Sequence, residues 1–151
     1  MKIDPRGQRF SAALSTAMLA AVLATGNVWL LAVQAAVFGV SAVVGLRYSP
    51  YGAAYRWLMR PLLGPPGEFE DAAPPRFAQG VGLVFSAVAL LGYAAGFAPL
   101  AIAAAAAALM AAFLNAAFGL CLGCEMYVRI RRLRPARERI TLPEPDKEVT
   151  A

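Results

Sequence analysis

A chain of 151 residues that is 60% hydrophobic and only 15% charged departs from the roughly 45–50% and 25% of an average soluble chain, and so much apolar side chain needs a solvent other than water. The length admits one domain, and the absence of any histidine excludes haem ligation through imidazole and most catalytic triads. No Walker or dinucleotide-binding glycine pattern occurs, which leaves the cofactor unknown.

Charges are missing from Phe10 to Leu46 and again from Phe77 to Cys124. About 20 apolar residues cross a hydrocarbon core of roughly 30 Å, so each tract is sized for two helices. In the first, Thr25, Gly26 and Asn27 form a turn between spans at about 10–26 and 28–46. "AVLATG" has the look of a signal-peptide cleavage site after Ala24, but the charge arrangement described below favours a retained segment. Ser49 as N-cap and Pro50 at the first helical position open an amphipathic helix at about 50–60. Tyr51, Tyr55, Leu58 and Leu62 follow helical spacing on it, Arg56 and Arg60 form a separate row, and Pro61 is expected to end it. With Trp57 and the tyrosines at headgroup level, it should lie on the membrane surface. "GPPGEFEDAAPPRF", with Glu68, Glu70 and Asp71, reads as an exposed acidic connector.

The second tract breaks at Gly96 and Pro99, giving spans at about 78–96 and 100–123. Gly92 and Gly96 make a GxxxG pair and the last span is rich in alanine, which suits close helix packing and a homo-oligomer. Asn27, Gln34 and Asn115 are the notable polar side chains within the tracts. Without a charged residue in any span, a pump or ion-coupled transporter is not expected. "RIRRLRPARER" is a headgroup anchor, and beyond a single membrane domain at 1–139, residues 140–151 read as a disordered tail.

All fourteen basic residues lie outside the spans: Lys2, Arg6 and Arg9; Arg47, Arg56, Arg60 and Arg76; then Arg129, Arg131, Arg132, Arg134, Arg137, Arg139 and Lys147. The Lys/Arg bias places the N-terminus, the central connection and the C-terminus in the cytoplasm. The net charge of +5 then answers to anionic lipid headgroups and needs no nucleic acid.

Both cysteines lie in "FGLCLGCEMY". If the fourth helix continues through them, Cys121 and Cys124 share one face, with Glu125 beside Cys121, and their α-carbons fall within disulfide reach. The negative end of a helix, the Glu125 carboxylate and lipid burial would all raise the thiol pKa, giving sluggish thiols unless Gly119 or Gly123 distorts the helix. Three uses stay open. The pair can act as a redox or sulfur-carrying dithiol, with Glu125 tuning it or relaying protons. Cys121 and Cys124 can hold a metal, which takes a second copy to supply four ligands. Or they are small residues that let helices pack. Asn115, out of phase with Cys121, is expected to bond a neighbouring helix.

"DPRGQRF", "SPYGAAYRWLMRPLLGPPGEFEDAAPPRFAQGVG" and "FLNAAFGLCLGCEMY" resemble a family of small bacterial membrane proteins catalogued as domain of unknown function 4395, over nearly the whole chain to about Leu133. The resemblance implies four spans in the bacterial cytoplasmic membrane, no established activity, and the company of thioredoxin-like and sulfurtransferase proteins. The expectation is an all-α integral membrane protein: a four-helix transmembrane bundle, both termini cytoplasmic, with an interfacial helix between spans two and three. Its expected role is a dithiol in thiol redox or sulfur relay with a cytoplasmic partner, or alternatively a non-catalytic scaffold.

Overall fold

Helix α1, Pro5–Thr25, starts where Asp4 accepts the Arg6 N–H on its side chain at 2.9 Å and Pro5 supplies a preset φ. Gly26 ends it at φ 65°, and Asn27 opens α2, Val28–Gly39, by capping the Trp29 N–H at 2.9 Å. A π-helical turn, Val40–Val44, extends α2, and a 3-10 turn, Leu46–Tyr48, leads to α3, Pro50–Leu58, and α4, Arg60–Leu63. Then come α5, Ala73–Ala94, α6, Ala98–Phe118, and α7, Leu122–Leu133. Strand β1, Lys2–Ile3, pairs antiparallel with β2, Glu70–Asp71. The computed structural model describes residues 2–64 and 70–133. Glu68 of the acidic connector, Arg134, Arg137 and Arg139, Lys147, and the tail expected at 140–151 lie outside the described residues.

Helices α1, α2, α5 and α6 form a closed ring in which each packs on two neighbours. Their shared core is Leu19, Val22, Leu31, Phe38, Ala89, Ala104, Ala105 and Ala108. The small α6 side chains let backbones approach: a Cβ on Gly92 would stand 2.9 Å from the Ala101 nitrogen. Gly96, by contrast, is the turn residue at φ 71° with nothing within 4 Å of its missing Cβ, so the GxxxG expectation holds for Gly92 alone. Two helices, α5 and α6, are long and apolar enough to cross a membrane, with mean hydropathies of 1.7 and 2.0, and Val28–Val44 is a shorter apolar helix. The outer surface is apolar too, with Trp29, Val33, Val84, Leu91, Ile102 and Met110 all exposed. Inside, Gln34 is fully buried and bonded at both ends of its amide: its nitrogen donates to Ser15 Oγ at 3.2 Å and its oxygen accepts from Tyr51 OH at 2.7 Å.

Two expected boundaries are corrected. The interfacial helix stops at Leu58, and Pro61 lies in the first turn of α4 instead of ending α3. The row of Tyr51, Tyr55, Leu58 and Leu62 divides accordingly, with Tyr55 buried and Leu58 and Leu62 exposed. The fourth long helix does not reach residue 123. Gly119 turns left-handed at φ 71°, and the N–H groups of Gly119 and Leu120 close on the carbonyls of Asn115 and Leu114 at 3.1 and 3.3 Å, a left-handed glycine cap of the helix.

The two halves of the chain are built alike. Each runs as two long helices joined at a left-handed glycine, Gly26 or Gly96, followed by an amphipathic helix. Asp4 and Asp71 each accept an N–H two residues on. Arg9 donates to the carbonyls of Ala116 and Ala117 at the end of α6, and Arg76 to those of Ala42 and Val43 in the π turn that extends α2. A cation on the last carbonyls of a helix is favourable in both places. Phe10 packs on Tyr55 with ring centroids 5.8 Å apart and Phe77 on Tyr127 at 5.7 Å. β1 and β2 precede α1 and α5 and pair with each other, with Ile3 opposite Glu70. This internal repeat brings the starts of α1 and α5 together with α3 and α7 at one end of the bundle.

Candidate functional site

Cys121 is the residue just before α7, and Cys124 lies in its first turn. The Cys121 sulfur accepts the Cys124 N–H at 3.3 Å, and its carbonyl accepts the Glu125 N–H at 3.0 Å. This is an N-cap with sulfur in place of oxygen. The expectation that the cysteines sit at a helix C-terminus is therefore overturned: because Gly119 ends α6, they sit at the start of a new helix, where unpaired N–H groups and the helix dipole favour a negative sulfur. The two sulfurs are joined as a disulfide across a Cα–Cα distance of 5.1 Å.

Gly123, between the cysteines, is buried against α5, where a Cβ would stand 2.6 Å from Ala78 Cα. This contact seats the α7 start on the bundle. From α1, the Gln8 amide nitrogen donates toward both sulfurs, at 3.6 Å to Cys121 and 3.5 Å to Cys124, while its oxygen is buried without a partner among the described residues. Around the pair opens a cavity of about 590 Å³ whose walls include Arg9, Glu70, Asp71, Pro75, Asn115 and Arg129.

Of the residues singled out from sequence, the structure brings Cys121 and Cys124 together. Glu125 lines the same cavity, with its carboxylate 3.5 Å from Arg129 on the same helix, both side chains well exposed. Such an exposed pair contributes little. Asn115, expected to bond a neighbouring helix, faces this cavity instead. Gln8 was missed: only its place in "DPRGQRF" hinted at a role, since nothing local ties residue 8 to residue 121. Among the described residues no three of His, Cys, Asp or Glu converge as a metal site.

A helical bundle with membrane-length apolar helices and a vicinal cysteine pair capping a helix at one end defines the class. The chain belongs to the family described as Domain of unknown function (DUF4395), whose model matches residues 3–132. No curated protein and no solved structure matches it.

Proposed function

We propose that the protein is a four-span membrane dithiol carrier. In this reading α1, α2 with its π turn, α5 and α6 cross the bacterial cytoplasmic membrane, and the end bearing Cys121 and Cys124 faces the cytoplasm, as the basic residues there favour. The observation that carries the proposal is the Cys121–Cys124 disulfide at the N-terminus of α7. Disulfides exposed to a reducing cytosol are usually transient, catalytic or redox-sensing ones.

The partner is a thioredoxin-like or sulfurtransferase protein with its own thiols. One partner thiolate attacks the Cys121 sulfur, the Cys121–Cys124 bond breaks, and Cys124 leaves as a thiolate that takes up a proton. The second partner thiolate then attacks the partner's sulfur in the mixed disulfide, closing the partner's disulfide and releasing Cys121 as a thiolate. Two electrons pass from the partner to this pair, and the exchange is reversible. The Cys124 N–H and the dipole of α7 stabilise the Cys121 thiolate, and the Gln8 amide donates to whichever sulfur is charged. Glu125, on the cavity rim, relays to Cys124 the proton that its leaving thiolate takes up.

The test is the state of the sulfurs in the native membrane. Growing cells are acid-quenched, alkylated with a heavy maleimide before and after reduction, and the protein is weighed. A disulfide fraction that rises with oxidant and falls with reductant is expected. Two thiols that stay reduced and inert under oxidant would sink the proposal, as would a Cys121→Ser/Cys124→Ser variant that behaves as wild type.

A further inference from the structure

The internal repeat gives the disulfide cavity a counterpart. In the first half, Ser49 caps α3 by accepting the Gly52 N–H at 3.4 Å, as Cys121 caps α7 by accepting the Cys124 N–H at 3.3 Å. A tyrosine follows each cap six residues on, Tyr55 and Tyr127, each packed on the phenylalanine of its own half. Beside Ser49 lies a cavity of about 240 Å³, and Gln8 lines both it and the sulfur cavity.

The two cavities carry different chemistry. Around the sulfurs, Glu70, Asp71 and Glu125 face Arg9 and Arg129. Around Ser49, the charged side chains are Arg47, Arg56, Arg60 and Asp4. Both oxygens of Asp4 are already engaged, one by the Arg6 N–H at 2.9 Å and the other by Tyr55 OH at 2.8 Å. Among the described residues, three arginines therefore line one concave space with a single, committed carboxylate. Like charges gathered this way repel unless an anion joins them. Arg56 is held in place, donating to the Arg47 carbonyl at 2.9 Å across Gly52, where a Cβ would stand 3.6 Å from its Nη1. The Gln8 and Gln79 amides add neutral polar groups to the wall.

We infer that this first-half cavity is a binding site for a phosphoryl group, clamped by Arg47, Arg56 and Arg60. Planar guanidinium forks match phosphate oxygens in pairs. The cavity opens at the end of the bundle where interfacial α3 lies, so the phosphoryl group belongs either to an anionic lipid headgroup or to a soluble phosphate. This inference is independent of the dithiol proposal, since Ser49 and Gly52 stand where the cysteines stand in the other half and no sulfur chemistry is asked of them.

The experiment uses the full chain in neutral detergent and in nanodiscs, at about 0.15 M salt so that exposed charges are screened beyond roughly 8 Å. Inorganic phosphate is titrated against the detergent sample, and phosphatidylglycerol is titrated into phosphatidylcholine nanodiscs, with the thermal midpoint as readout. A saturable rise with either probe is expected. A response to both identifies a soluble-phosphate site that also accepts headgroups, and a response to phosphatidylglycerol alone identifies a lipid site. Arg47→Gln/Arg56→Gln/Arg60→Gln should weaken the response at least tenfold, while Arg131→Gln/Arg132→Gln should leave it intact. Should the triple variant not fold, Arg47→Gln alone serves, because the bond from Arg56 uses the Arg47 backbone carbonyl; a weakening of at least severalfold is expected. No saturable response in wild type to either probe overturns the inference. So does a response that survives removal of the three arginines, or of Arg47 where only that variant folds.

Discussion

The two halves of the bundle repeat one plan and differ most at their amphipathic helices. The first half caps its helix with Ser49 and places Gly52 one turn on, while the second uses Cys121 and Cys124 at the same two places. The packing beneath the caps differs as well. Gly7 of α1 admits the ring of Tyr55, and Gly123 of α7 admits the backbone of Ala78. A ring can swing aside; a backbone cannot. The comparison teaches that a single helix-start geometry supports either an oxygen cap or a disulfide-bonded sulfur cap. The residue type at two positions decides between an oxygen cap and a pair of sulfurs.

Moving the cysteines tests that equivalence most severely. In a Cys121→Ser/Cys124→Ser background, Ser49→Cys/Gly52→Cys should form a new disulfide on mild oxidation. A Cβ on Gly52 would stand 3.5 Å from the Ser49 Cβ, within the roughly 3.5–4.5 Å that disulfides span, although Leu46 O at 3.1 Å must yield slightly. Mass after alkylation, with and without reduction, reads the result, and two free thiols under oxidant would break the equivalence.

Next in size, Gly123→Val should destabilise the chain by about 1–3 kcal/mol through overpacking, since its Cβ would meet both Ala78 Cα and Ala78 Cβ at 2.6 Å. Gly7→Ala should cost less, because its close neighbour is the Tyr55 ring at 2.9 Å. Unfolding midpoints in detergent compare the two, and equal losses would mean that α7 gives way as easily as a ring does.

Smaller again, Gly96→Ala and Gly119→Ala should each cost about 1–2 kcal/mol for a left-handed residue with a Cβ, both glycines being at φ 71°. Only the Gly119 variant should also slow alkylation of the reduced cysteines, because only that turn sets where α7 begins. Matching alkylation rates would contradict a sulfur pair positioned by the Gly119 turn.

The mildest effect is expected at Asp4. Burial, and then the hydrogen bond to Asp4, hold the Tyr55 phenol above its usual value of 10.0. A raised phenol favours the folded chain while protonated. Its contribution is therefore complete below the unfolded value of about 10 and is lost as pH rises through the folded value. Asp4→Asn should lower the folded value without restoring it fully, since burial remains. Phenolate absorbance, with Tyr55→Phe subtracted to isolate the residue, follows the shift; an unmoved titration would leave burial as the sole cause.

Much of the fold was legible because it rests on local signals. Asn27, Ser49 and Pro50 stand where α2 and α3 begin, and the charge-free tracts contain the apolar helices. The helix ends that depend on glycine conformation were harder. Gly96 reads as a turn because Pro99 follows it, whereas Gly119 sits among Phe, Leu and Cys with no second breaker, so the expected span runs about five residues past the end of α6 and puts the cysteines at the wrong end of a helix. The internal repeat had a faint signature, Asp followed five and six residues later by Arg-Phe at Asp4 and at Asp71, too short to weigh without the contacts that those residues make.

Composition and charge spacing by themselves determined an apolar, helical chain with its basic residues outside the apolar tracts, because hydrophobic length and helix caps act over a few residues and are written in order. Tertiary structure alone decided that Gln8 meets Cys121 and Cys124, that Asn115 faces their cavity, and that three arginines share another. Those meetings depend on the direction in which Gly119 turns the chain and on how the two halves close around one core, and neither is encoded at any single position.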